Sequence, residues 1–200
     1  MDRANKTTYV ITRELLDTYP IPPDLSPSEF IKIYWGYYKK NYKSNNSVNG
    51  TVFENLIIIS LAREGIKNIY YQTQLSFVPS AKFDVFLYHE ETPMALSIKT
   101  SLRERWKQAD LEAAALKQVH KEAESYVITL DRVAVDTRRR LDRTYAGLNG
   151  FIIADNVEYD KFVYYLKTKK YVQSGAVPII KTADNYYTAD SLKHDFHFRT

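Results

Sequence analysis

Residues 82–112 read KFDVFLYHEETPMALSIKTSLRERWKQADLE, and the order of apolar and charged positions in this stretch predicts strand, turn, strand and helix. KFDVFLYH is an apolar and aromatic run interrupted by one carboxylate, Asp84. A polar turn containing Pro93 separates it from PMALSIKT, as expected of a hairpin. Asp84 sits mid-strand, where an unpaired carboxylate would be costly. Thirteen residues later, Ser97 and Lys99 alternate on one face of the next strand. Trp106, Ala109, Ala113 and Leu116 then recur at helical spacing and predict a helix from near Arg103 to about Ala123. Arg105, Gln108 and Glu112 are three and four apart, so they share one face of it.

Working outward, NIYYQTQLSF is a third extended run, and the helix before it starts near Thr51. That helix carries Phe53, Leu56, Ile57, Ser60 and Leu61 at helical spacing and closes at Gly65. Further upstream, YPIPP at 19–23 breaks the N-terminal element. Ser26 then caps a helix with Pro27 first and Glu29 in its first turn, running through FIKIYWGYYKK into the polar loop KSNNSVNG. Downstream lie a strand YVITL, a basic helix around Val133–Arg143, a strand GFIIA and a helix from about Val157 to Lys167. The pattern is α/β, with a central mixed sheet flanked by helices. It reads as one domain over 1–200: a helical part at 1–48, a core at 49–170, and a polar, aromatic tail at 171–200 with no assigned role.

Composition narrows the function classes. No apolar run approaches the roughly 20 residues that span a bilayer, and MDRANKTTYVITRELL lacks a signal-peptide apolar block. There are no cysteines, which excludes disulfides and thiolate zinc sites, and a reducing cytoplasm suits such a chain. The net charge of +4 is modest, but it is concentrated in Lys39, Lys40 and Lys43, in Lys99 to Lys107, in Arg138 to Arg143 and in Lys161 to Lys170. Tyrosine occurs 17 times and combines a stacking face with a polar handle.

The order helix, strand, strand, helix places Glu54, Asp84, Lys99 and Glu112 along it. Phosphodiester hydrolysis needs a hard cation, an in-line water and charge relief on the leaving oxygen. Carboxylates supply oxygen ligands to such an ion, and a lysine positions or deprotonates the attacking water or stabilises the transition state. Here the chain resembles the PD-(D/E)xK nuclease superfamily. Phe83 replaces the proline before the aspartate, and Ser97 stands where the second carboxylate normally sits. The run K-T-S-L-R-E-R-W-K-Q-A-D-L-E, with Glu112 about two turns into the helix, is similar to restriction enzymes reading CCGG, CCNGG or CCWGG sites. In those enzymes the metal-binding glutamate has migrated to the following helix. The resemblance covers residues 50 to 130 best. It implies a restriction-endonuclease-like core, Mg2+ held by Asp84 and Glu112, catalytic roles for Asp84, Lys99 and Glu112, and Glu54 as an outer or second-metal carboxylate.

Base reading is the expected role of Arg103, Glu104 and Arg105. Arginine pairs with guanine N7 and O6, and glutamate accepts from cytosine N4; by resemblance the three address CC:GG. Lys107 is expected on phosphate. Trp35, beside Lys39 and Lys40, is a candidate for contact with bases, against the plainer reading of a core or interface tryptophan. Arg138, Arg139 and Arg140 suit either phosphate or a solvated face. His194 and His197 are read as incidental rather than as a metal pair. The expected enzyme is a homodimeric type II restriction endonuclease whose two-fold axis matches a palindromic or near-palindromic double-stranded DNA site, with a DNA methyltransferase as genetic companion. A structure-specific nuclease of the same fold and a non-catalytic DNA-binding module are the alternatives.

Overall fold

The computed structural model describes residues 3–43, 45–76, 78–141, 144–173 and 185–196. The chain runs α1 (Arg3–Thr18), α2 (Pro27–Asn41), α3 (Asn46–Arg63), β1 (Ile69–Leu75), β2 (Val78–Leu87), β3 (Met94–Lys99) and α4 (Arg105–Val119). It continues through β4 (Glu124–Thr129), α5 (Arg132–Leu141), β5 (Gly150–Ile153), α6 (Val157–Lys167), β6 (Tyr186–Tyr187) and α7 (Ala189–Phe196). The fold is α/β. Six strands form one mixed sheet in the order β5-β4-β3-β2-β1-β6. The expected hairpin is its antiparallel centre, β2 with β3, while β3, β4 and β5 run parallel. Helices α4 and α5 make the crossovers that parallel neighbours require.

Side chains of β3 divide between the two faces as strand geometry demands. Met94, Leu96 and Ile98 join the larger core with α2, α3 and α6, while Ala95 packs with Phe86 and Leu116 on the α4 side. Both faces are covered, which is why MALSI is apolar almost throughout. On α2, the expected cap Ser26 accepts through Oγ from the Glu29 N–H, and Glu29 Oε2 accepts from the Ser26 N–H, which completes a capping box. Among the described residues no helix is long and apolar enough to cross a membrane.

Three boundaries differ from the sequence reading. Helix α3 begins at Asn46 rather than Thr51, because the Asn45 side chain accepts from the Val48 N–H at 3.0 Å and turns the polar loop into a first helical turn. The division placed at 48/49 therefore falls inside a helix. Helix α4 begins at Arg105 rather than Arg103. The Leu102 N–H donates to Asp131 Oδ2 at 3.0 Å and Leu102 is fully buried, so the chain turns at Arg103, whose φ is +38°. The same helix ends at Val119 rather than near Ala123, and His120 is already extended. In the basic segment α5 is described over Arg132–Leu141, and Arg143 lies outside the described residues. Much of the tail also lies outside them, His197 included. What is described of it forms a strand on β1 and a helix whose Leu192 and Phe196 enter the larger core.

Asp110 fastens the loop before β5 onto α4 by accepting the N–H groups of Ala146, Gly147 and Leu148 at 2.9 to 3.0 Å. Gly147 lies so close to that helix that a Cβ would sit 2.0 Å from the Ala114 nitrogen. Because the obstacle is helical backbone, it cannot yield by a rotamer change. Gly147→Ala is expected to cost about 3 kcal/mol, read as a lowered urea midpoint; a midpoint matching the parent would contradict this packing.

Candidate active site

The β2–β3 ladder runs from Leu87↔Met94 to Val85↔Leu96 and stops there. At the next position Asp84 takes over from the backbone. Its Oδ2 accepts the Ile98 N–H at 2.7 Å and also the Lys99 ammonium at 2.7 Å. Asp84 is 8% exposed, so a charged group at the fork of the hairpin is compensated by a neighbouring lysine and a backbone donor, as burial requires. Lys99 stays one-quarter exposed along its side chain. Ser97 is buried on the same strand face.

On the other side of β2, strand β1 loses its rung opposite Asp84. Tyr71 pairs with Val85 and Thr73 with Phe83, and Gln72 between them has φ +48°. Its amide Nε2 donates to Glu54 Oε2 at 2.8 Å and lies 3.3 Å from Asp84 Oδ1. Glu54, on α3, is thereby joined to the hairpin. Burial pushes its carboxyl up to about 8, and the Asp84 charge pushes in the same direction, against the opposing pull of Lys99 and the Gln72 amide. Glu112, on α4, is also raised above the ordinary range, chiefly by burial. Gln108 and Lys99 act against this, and Asp84 adds to it. Gln108 Nε2 donates to Glu112 Oε1 at 2.9 Å.

The sequence-predicted Glu54, Asp84, Lys99 and Glu112 thus fall within one electrostatic neighbourhood. Three carboxylates lie in the field of Lys99, Lys82 also acts on Glu54, and two of the three hold protons more tightly than usual. An all-oxygen, negatively charged donor set suits a hard divalent cation, which takes one or two protein carboxylates and keeps several waters. Among the described residues no three acidic or histidine side chains converge as a metal-binding group.

Glu54 and Gln72 open onto a cleft of about 740 Å³, also lined by Lys82 and Arg105. A second hollow of about 320 Å³ is lined by Thr100, Ser101, Arg103, Glu104 and Arg105, and Asn46 and Arg105 border both. The Arg103–Arg105 triplet is exposed and Arg105 lines the same cleft as Glu54, although the triplet forms the turn before α4 more than the helix itself. Glu104 forms an ion pair with Lys107, which accounts for its lowered carboxyl. Trp106 packs against Tyr145, and the Arg138 guanidinium lies 4.9 Å from its ring centre. Arg139 is tied to the Phe151 carbonyl and to Glu158.

Other expected residues stand apart. Trp35 is partly buried against Tyr38 and Phe53, in the packing of α2 on α3. Lys39 and Lys40 are exposed on the last turn of α2. None of the three lines either cavity, and neither do Asp84, Lys99 and Glu112, which lie beside the first of them through Glu54 and Gln72. Two residues were missed by sequence reasoning. Lys82 had a usable signal, since it lies two before Asp84 and so shares its strand face. Gln72 had none, because a glutamine at positive φ carries no mark in sequence. No family model, curated protein or solved structure matches this chain.

Proposed function

We propose that this chain is a Mg2+-dependent type II site-specific deoxyribonuclease that hydrolyses double-stranded DNA at a short G·C-containing palindromic or near-palindromic site. The observation that carries the reading is the Asp84–Lys99 pair at the fork of the hairpin, with Glu54 and Glu112 in the same field beside a cleft bordered by Lys82 and Arg105. Asp84 with Glu112 or Glu54 would hold the ion. When bound, Mg2+ supplies charge relief at the leaving oxygen and acidifies the attacking water.

The chain's own residues do the rest. Lys99 orients the water that attacks phosphorus and stabilises the gathering negative charge. As the water oxygen bonds to phosphorus it gives up a proton to solvent, the P–O3′ bond breaks and the 3′-oxygen takes a proton from solvent, giving a 5′-phosphate and a 3′-hydroxyl. Lys82 neutralises the strand in the cleft. Arg103, Glu104 and Arg105 address G·C pairs, with Lys107 against phosphate. Two copies related by a two-fold axis cut one strand each, and a methyltransferase of the same specificity is the expected genetic companion.

The Glu104–Lys107 pair favours one second reading: a nuclease of the same architecture that cuts by DNA structure. In that case the triplet is a solvated turn. Supercoiled plasmid in Mg2+ separates the two readings. The site-specific enzyme gives discrete linear fragments, and Glu104→Ala relaxes or abolishes their pattern. Glu112→Ala is expected to slow cleavage by about 100-fold. Cleavage by Glu112→Ala at the parent rate would refute the migrated carboxylate.

A further inference from the structure

Gln72 occupies a place that nothing in its sequence explains. It sits in the middle of a strand, yet its φ of +48° is one that a side chain of its kind rarely adopts. That twist removes the rung opposite Asp84 from the β1–β2 ladder. The distortion is held from outside: the Tyr71 N–H donates to the Asn185 carbonyl at 3.0 Å, and the Asn185 side chain reaches the Gln72 carbonyl at 3.4 Å. A strained conformation that neighbours maintain beside a site is a pointer to function. Its result is specific. One amide nitrogen touches an oxygen of Glu54 on α3 and an oxygen of Asp84 on β2, so a single neutral side chain couples two carboxylates from different elements.

We propose that Gln72 is a positioning residue that holds Glu54 and Asp84 face to face, so that a divalent cation meets both already in place. This rests on the nuclease reading of the same site. Without the amide nothing fixes the Glu54 and Asp84 side chains relative to one another, and the ion must first bring them together. The –NH2 group is uncharged and held only by hydrogen bonds, so it yields to a cation at little cost and preorganisation outweighs competition.

The test separates the amide from the backbone. Gln72→Gly removes the side chain and relieves the positive φ, which glycine adopts freely, so its melting temperature should equal or exceed the parent's. Gln72→Met keeps the length and the strain but loses the donor. Binding of Mn2+ alone to the full DNA-free chain is followed by electron paramagnetic resonance of the unbound ion. Both variants should bind Mn2+ at least about tenfold more weakly, the usual effect of losing a group that orients metal ligands. In cleavage, the Mg2+ needed for half-maximal rate should rise in parallel, with the rate at saturating Mg2+ nearly unchanged. Mn2+ binding as tight as the parent's, or tighter, in both variants would overturn the positioning role while leaving the nuclease reading intact. A parent protein that takes up no Mn2+ and cuts no DNA would overturn both.

Discussion

Replacing Lys99 by methionine is expected to lower Mg2+-dependent DNA cleavage by about 10³-fold, the scale of a lost proton-handling or charge-stabilising group. Binding of the DNA site in calcium should be left nearly intact. The stem of the side chain is retained, and only the ammonium that lies 2.7 Å from Asp84 Oδ2 is removed. The substitution also has a structural cost. Asp84 keeps the Ile98 N–H and the Gln72 amide as partners, but a buried carboxylate that loses its counter-charge destabilises a fold by up to about 3–5 kcal/mol. Unfolding in urea at the assay temperature therefore belongs with the rate measurement. A folded, DNA-binding Lys99→Met protein that cuts at the parent rate would remove Lys99 from the chemistry.

Glu54→Gln is the second substitution with a large expected effect, and its sign depends on pH. The Glu54 carboxyl titrates near 8 in the fold against an ordinary value of 4.5. Between those values the native state holds a proton that the unfolded chain has shed. The stability this contributes is complete below about 4.5 and is lost as pH rises through 8. Above 8 the parent carries a buried charge that glutamine never acquires. In EDTA the variant should therefore be more stable than the parent by about 3 kcal/mol at pH 9 and nearly equal to it near pH 4. Urea unfolding at the two values checks this; parallel pH profiles for parent and variant would contradict it. For the same reason a cation displaces the Glu54 proton, so metal affinity and cleavage by the parent should climb with pH up to about 8.

Much of the scaffold was legible because its signals are local. Ser26 and Pro27 announce the start of α2, the polar turn around Pro93 announces the hairpin, and the apolar stripe of α4 is written at helical spacing. Asp84 and Lys99 were legible for the same reason, since a carboxylate and an ammonium in adjacent apolar strands have few other solutions. The start of α4 was not. It depends on Asp131, which is distant in sequence and takes the Leu102 N–H, so that Arg103 becomes a turn residue. The link between Glu54 and Asp84 was hidden too, because it passes through the side chain of a residue in a third element. The end of the chain escaped for a topological reason: Tyr186 and Tyr187 become a strand only by pairing with Tyr70 and Ile69, a contact that no local pattern encodes. For Trp35 the sequence offered contact with bases against a core or interface place, and its ring meets Tyr38 and Phe53 between two helices.

The most direct measurement is the digestion of unmethylated phage DNA by the purified protein in Mg2+, with every fragment end sequenced. Discrete fragments that begin with a 5′-phosphate within one shared motif containing CC and GG are the predicted result. Intact DNA in both Mg2+ and Mn2+, from protein that is folded and binds DNA, would contradict the account.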